Sequence, residues 1–223
     1  MMQIAIDGPA ASGKTTVAQE VARRLNLHYF DTGSMYRAVA YMALRTQTEA
    51  DNEPALVRLC DRVPVRAQFD DRSFAGARIF AGDDELRQPQ LESPQVTAVV
   101  STIAAHPRVR ELMVREQRRV AGRHDVVMAG RDIGTVVLPD ATHKIFLTAS
   151  VPARVSRRRA QLEAAGLAVA PRALADEIAE RDHLDATRST SPLRKAEDAH
   201  EIDSSNLTVE QVADEICRIV SAA

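Results

Sequence analysis

Lysine is nearly missing from this chain: among 29 basic residues in 223, only Lys14, Lys144 and Lys195 are not arginine. Genome composition accounts for such a bias globally, but not for where particular arginines sit. Net charge is lacking too, at a formal -2. A general nucleic-acid binder needs a basic surface to displace counterions, so that class is excluded. Cysteine is confined to Cys60 and Cys217, far apart and both in helical patterns. This excludes a disulfide framework and points to a reduced, cytoplasmic setting with two buried structural thiols. Neither a signal-peptide pattern nor an apolar run of membrane-spanning length is found, so no membrane partner is expected. Repeats, low-complexity tracts and an evident interdomain linker are also absent. A single domain is therefore expected over 1–223, with one substantial core and at most a small appendage.

What is present begins with Gly8-Pro9-Ala10-Ala11-Ser12-Gly13-Lys14-Thr15, which fills the pattern G-x-x-x-x-G-K-[ST] between a strand-like run, Gln3 to Asp7, and a helix-like run. In that context the pattern is a phosphate-binding loop. Glycines remove the side chains that would keep backbone N–H groups from phosphate oxygens. Lys14 adds a positive charge on a surface loop for the β- and γ-phosphates, and Thr15 offers a hydroxyl to a magnesium ion carried in by them. From about Thr16 a helix aims its positive end at the same place, with Val17, Ala18, Val21, Ala22 and Leu25 on its apolar face.

Short apolar runs alternate with helical patterns: Ile4 to Ile6, His28 to Phe30, Val126 to Ala129, Lys144 to Leu147, and Glu201 to Ile202. The alternation predicts a parallel α/β sheet with helices on both faces. Ser150 and Pro152 open a helix that runs to Ala165, where Gly166 stops it, and Thr208 with Gln211 has capping-box spacing before a last helix. In the middle, Val63, Val65, Ala67 and Phe69 recur at period two, Asp70-Asp71 turns, and Phe74 to Phe80 offers a second strand before Gly82-Asp83-Asp84. That predicts a small antiparallel insertion. Two helices follow between about Ser93 and Val120, broken at His106-Pro107, and the stretch Ala164 to Ala170 before Pro171 reads as a flap.

Charged residues recur where such a sheet places ligands, beyond the carboxyl ends of strands. Asp31-Thr32-Gly33-Ser34-Met35-Tyr36-Arg37 follows the second strand, and Gly130-Arg131-Asp132 follows the strand Val126 to Ala129. A capped helix start would equally explain Asp31 and Thr32, whereas an arginine beside a carboxylate at Arg131-Asp132 is harder to explain by packing. On a helix starting near Arg172, Leu174 and Ile178 face the core while Arg181, Asp185 and Arg188 fall at i, i+4 and i+7. Taken alone, such a stripe of alternating sign is a solvated face with weak ion pairs. Arg154, Arg157 and Arg158 crowd like charges on the preceding helix and call for an anion such as a phosphate chain.

Together these segments resemble the bacterial cytidylate kinases, a family of nucleoside-monophosphate kinases, over nearly the whole chain. The resemblance rests on Ile6-Asp7-Gly8-Pro9 leading into the loop, on Asp31 to Arg37, on Gly130-Arg131-Asp132-Ile133-Gly134-Thr135-Val136-Val137, and on Arg181-Asp182 with Ser191-Pro192-Leu193. It implies an α/β P-loop fold of three layers with a central parallel five-stranded sheet. A helical monophosphate-binding region is implied over about 37–121, with its β-insertion at about 63–88, and a short lid at about 156–171. It also implies transfer of phosphate from ATP, with Mg2+, to CMP and dCMP in pyrimidine nucleotide metabolism, by a cytoplasmic monomer. Residue by residue, it places Thr32, Arg110 and Asp132 against the base, Arg37, Arg131 and Arg188 on the monophosphate, and Ser101, Arg181 and Asp185 around the sugar. Gly8, Pro9, Ala10, Ala11, Ser12, Gly13, Lys14, Thr15 and Thr16 would hold ATP, with Arg157 and Arg158 reaching it from the lid and Thr15 on the metal. Lys14, Arg131 and Arg188 would be catalytic. Two other readings stay open: a P-loop kinase for UMP, AMP or a non-nucleotide such as shikimate, and a nucleotide-binding switch without an acceptor site.

Overall fold

The computed structural model describes residues 1–70, 76–164, 166 and 170–222. Five strands make an all-parallel sheet: β1 (Gln3–Asp7), β2 (His28–Asp31), β6 (Val126–Gly130), β7 (His143–Thr148) and β8 (His200–Asp203), in the order β2-β6-β1-β7-β8. β1, β2, β6 and β7 are largely buried on both faces, which is why they read as apolar runs rather than alternating ones, whereas edge strand β8 buries only Ile202. The pleat still sorts the side chains. Ile4, Ile6, Val127, Ala129, Ile145 and Leu147 pack under α1 (Lys14–Leu25) and α9 (Val209–Ser221). Ala5, Phe30, Val126 and Met128 point the other way, into a larger core beneath α2 (Gly33–Arg45), α3 (Glu53–Arg62), α5 (Pro94–Ala105) and α6 (Pro107–Ala121). The predicted parallel sheet and the last helix are both present, and the capping box at Thr208 and Gln211 forms in both directions.

The insertion is a three-stranded antiparallel sheet, β3 (Val65–Gln68), β4 (Arg78–Ala81) and β5 (Asp84–Leu86). Two strands were expected. The third has a three-residue Asp-Glu-Leu sequence without β-branched residues, so its pairing through Ala81 and Asp84 is created by the turn at Gly82, whose φ is 62. Phe74 and Asp71, on which the reading of the second strand and its turn rested, lie outside the described residues. The insertion meets the main sheet at its β2 edge, where the amide of Ala77 donates to the carbonyl of Tyr29 at 2.9 Å. After the short α4 (Gln88–Leu91), α5 and α6 separate at His106, as the Pro107 break requires.

Between β6 and β7 the chain makes one wide turn of π-helix, Ile133–Val137, closed by Val137 N–H to Asp132 C=O at 3.0 Å and Leu138 N–H to Ile133 C=O at 2.7 Å. It has no local sequence signal. α7 (Val151–Ala164) and α8 (Pro171–Thr187) then pack against each other. The flap expected over Ala164 to Ala170 lies mostly outside the described residues. Of the two cysteines expected to be buried, Cys60 is and Cys217 is half-exposed, because α9 is covered on one side only. Among the described residues no helix is long and apolar enough to cross a membrane.

Candidate active site

The site is assembled where four strands end. β1 delivers Asp7 and the phosphate loop, β2 delivers Asp31 and Thr32, β6 delivers Arg131 and Asp132, and β7 leads into α7. In the loop, Gly8 has φ 154 and a Cβ there would fall 2.1 Å from the carbonyl oxygen of Leu147, so only glycine fits. Gly13, at φ 93, starts α1, and Lys14 folds back so that its Nζ donates to the Pro9 carbonyl at 2.6 Å. Lys14 is thus 7% exposed, enclosed by its own loop rather than standing on a surface one.

The loop carbonyls are held from outside. Arg154 Nη1 donates to the carbonyl of Ala10 at 3.2 Å, and Arg157 Nη1 donates to the carbonyl of Ser12 at 3.1 Å. Ser204 Oγ, at 3.1 Å, also donates to Ser12. In a trans peptide the carbonyl and the next N–H point in opposite directions. Fixing these two carbonyls therefore turns the amides of Ala11 and Gly13 the other way. The like charges on α7 were expected to need a phosphate chain; instead Arg154 pairs with Asp182 and Arg157 is occupied by Ser12 and Ser204. Arg158 has a longer contact, 3.7 Å from Glu177, and lies near enough to Arg37 and Arg181 to disfavour their charges.

Around Asp132 and Asp185 lies a cluster of buried charge. Arg110 on α6 donates from Nη2 to Asp132 Oδ2 at 2.6 Å, with the Arg110 side chain 2% and the Asp132 side chain 5% exposed. Arg188 Nη2 stands 4.0 Å from the other Asp132 oxygen. Arg131 Nε donates to Asp185 Oδ2 at 2.8 Å, and Arg188 Nη1 reaches Asp185 Oδ1 at 3.3 Å. Arg37 on α2 donates to the carbonyl of Leu91 and to Thr97 Oγ1. Thr32 spends its hydroxyl on the Ala129 carbonyl at 3.0 Å, and Ser101 is half-buried on α5, which packs on α8. The stripe Arg181, Asp185, Arg188 is no solvated face, for Asp185 is buried and the Arg188 side chain is 5% exposed. Helical spacing does not place Arg188: α8 stops at Thr187, and Arg188, extended at φ -60 and ψ 141, is tied by its Nε to the carbonyl of Ser191 at 2.5 Å.

Positive charge is in excess here. Burial, then Arg131 and Arg181, push the Lys14 ammonium well below its usual range. Burial and Arg131 likewise lower Arg181 to about 10. Burial works against ionising Asp185, yet Arg131, Arg188 and Arg181 hold its carboxyl below the ordinary value. Arg110 Nε and Arg188 Nη2 are buried without a hydrogen-bond partner among the described residues. Unpaired guanidinium donors in an under-neutralised cluster fit an anionic ligand with acceptor groups.

A family profile described as cytidylate kinase matches residues 4–222. The chain belongs to the cytidylate kinase family. A cytidylate kinase of Geobacillus sp. (strain WCH70) is 46% identical over 220 residues, covering 99% of this chain and 96% of the relative. One from Streptococcus pneumoniae (strain 70585) is 46% identical over 215 residues, covering 96% and 95%. A solved structure of an uncharacterized protein from Eubacterium ventriosum ATCC 27560 aligns over 100% of both chains with a TM-score of 0.52 at 12% identity, a likeness of fold alone.

Within this cytidylate kinase fold, four polar residues take part that sequence reasoning gave no separate role. Asp7 accepts the amides of Ile133 and Gly134 at 2.8 and 2.7 Å and so anchors the π turn behind Asp132. Asp31 Oδ2 lies 3.5 Å from Thr15 Oγ1. The Tyr36 ring sits under the Arg110 guanidinium, 5.0 Å from its centre. Asp182 reaches the loop itself, accepting the amide of Ala10. All four stood inside the motifs of the resemblance, but only their tertiary partners reveal what they touch.

Proposed function

We infer that this protein transfers the γ-phosphoryl group of ATP to the phosphate of CMP, giving CDP and ADP, and that dCMP is also an acceptor. One observation carries the reading beyond family membership. A buried Arg110–Asp132 pair stands beside Arg188, and Arg110 Nε and Arg188 Nη2 are left without hydrogen-bond partners among the described residues. Cytosine offers an amino donor to a carboxylate and a ring nitrogen and carbonyl to an arginine, so Asp132 and Arg110 complement it, with Thr32 at the same end. Arg37, Arg131 and Arg188 take the monophosphate. Ser101, Arg181 and Asp185 take the sugar.

The donor lies along residues Gly8 to Thr16, with amides of the loop and Lys14 on its β- and γ-phosphates. Arg158 reaches it from α7, and Arg157 acts through the carbonyl of Ser12. A phosphate oxygen of CMP, already ionised near neutral pH, forms the new bond to the γ-phosphorus as the bond to the bridging oxygen breaks and ADP leaves. No protein base is required. Lys14, Arg131 and Arg188 stabilise charge on the transferred group, and holding two polyanions in line is most of the catalysis. Magnesium fits the hard oxygens at the mouth of the loop: Thr15 and Asp31 would hold it, and it would neutralise charge on the β- and γ-oxygens.

The reading is tested by incubating the protein with ATP, CMP and magnesium and resolving the products by phosphorus NMR. CDP and ADP should appear in equal amounts. ATP hydrolysis without CDP, or no reaction, would refute it.

A further inference from the structure

Three contacts meet at Ala10, in the middle of the phosphate loop. Its amide donates to Asp182 Oδ1 at 3.2 Å, its carbonyl accepts from Arg154 Nη1 at 3.2 Å, and that same Nη1 pairs with Asp182 Oδ2. Arg154 comes from α7, where its side chain is 7% exposed; Asp182 comes from α8, where its side chain is 24% exposed. Both polar groups of one peptide unit's residue are thus tied to two different helices. A buried guanidinium is stable only with its partners in place, so the loop, α7 and α8 cannot shift independently. On α8, Asp182 is the neighbour of Arg181 and stands three residues before Asp185. One turn of helix therefore carries both the sugar-side residues of the acceptor site and a strut to the donor loop.

We propose that Asp182 is a positioning residue that couples the two nucleotide sites. It rests on the reading of Arg181 and Asp185 as acceptor residues and of the loop as the ATP site. Asp182 touches neither nucleotide. When the acceptor engages Arg181 and Asp185, α8 is fixed, and through Asp182 and Arg154 so is the peptide at Ala10 that shapes the loop. The same linkage runs in reverse, so each nucleotide binds more tightly in the presence of the other.

The test measures CMP affinity by calorimetry with and without a non-hydrolysable ATP analogue, in wild type, Asp182→Ala, Asp182→Asn and Arg154→Lys. Wild type should show positive coupling of about fivefold or more, and Asp182→Ala should bring it to within about twofold of none while leaving affinity for CMP alone nearly unchanged. Asp182→Asn, which keeps an oxygen for the Ala10 amide, should fall between, and it replaces Asp182→Ala should that variant not fold. A second arm needs no nucleotide: hydrogen exchange at residues 10–13 should quicken in Asp182→Ala by about tenfold relative to wild type. Undiminished coupling in the variants, no coupling in wild type, or unchanged loop exchange would each overturn the proposal. Failure of wild type to bind CMP at all would instead overturn the acceptor reading, and the exchange arm tells the two failures apart.

Discussion

The charge on Lys14 is disfavoured by burial, Arg131 and Arg181 more than Asp31 and Asp185 favour it, and a bound anion would relieve this. The side chain is enclosed by its loop, and the charges of Arg131 and Arg181 oppose its own. A triphosphate would raise its lowered pKa, so on the alkaline side of neutrality the protein should take up protons as ATP binds. Calorimetry in two buffers of different ionisation enthalpy reads that uptake directly; equal heats would mean that Lys14 is already protonated or meets no phosphate. Lys14→Ala should remove the effect and lower turnover by about a hundredfold or more with normal circular dichroism. On the proposed reading, Asp132 governs base choice in the same local way. Asp132→Asn keeps an oxygen for Arg110, and its amide can donate to the carbonyl that uracil presents where cytosine has an amino group. The ratio of kcat/KM for CMP over UMP should therefore narrow by about tenfold or more. An unchanged ratio, with activity retained, would leave base reading to Thr32 and Arg110. At this scale the chemical types were legible in the sequence, but their pairings were not. Arg154 and Arg157 read as repelling charges because their partners, Asp182 and Ser204, are brought in from α8 and from the segment after β8.

Elements were legible wherever the local code was strong. The five apolar runs, the Pro107 break and the Thr208 cap all stand where period and capping rules put them. The π turn at Ile133–Val137 could not be read, because what holds it is tertiary: Asp7 takes the amides of Ile133 and Gly134, and Arg118 takes the carbonyls of Val136 and Val137. This anchor has a pH signature. Burial outweighs the two amide bonds and raises the Asp7 carboxyl from 3.8 to about 6. Between those values the folded protein keeps a proton that the unfolded chain has released, so the contribution of Asp7 to stability declines as pH rises through about 6. Asp7→Asn removes this dependence, so the melting-temperature gap between wild type and variant should be larger near pH 4.5 than at neutrality. A gap that stays constant would mean that Asp7 titrates normally, and one that widens toward neutral pH that its carboxyl is lowered instead; either result contradicts the raised value.

For the whole molecule, the parallel sheet gathers distant segments at one edge. Residues from the ends of β1, β2 and β6 meet α6 and α8 there, though Asp7 and Arg188 are most of the chain apart. Several of the sequence motifs that mark the family follow the strands β1, β2 and β6 whose ends meet here. The proposed function assigns the phosphate loop to the donor and the buried Arg110–Asp132 pair to the acceptor. The central claim is that this second half selects cytosine monophosphates. It is tested most directly by kcat/KM for CMP, dCMP, UMP, AMP and shikimate at saturating ATP and magnesium. CMP should be the best acceptor with dCMP beside it, UMP should fall at least about a hundredfold lower, and AMP and shikimate should be inert. Turnover of UMP, AMP or shikimate equal to or above that of CMP would contradict the account.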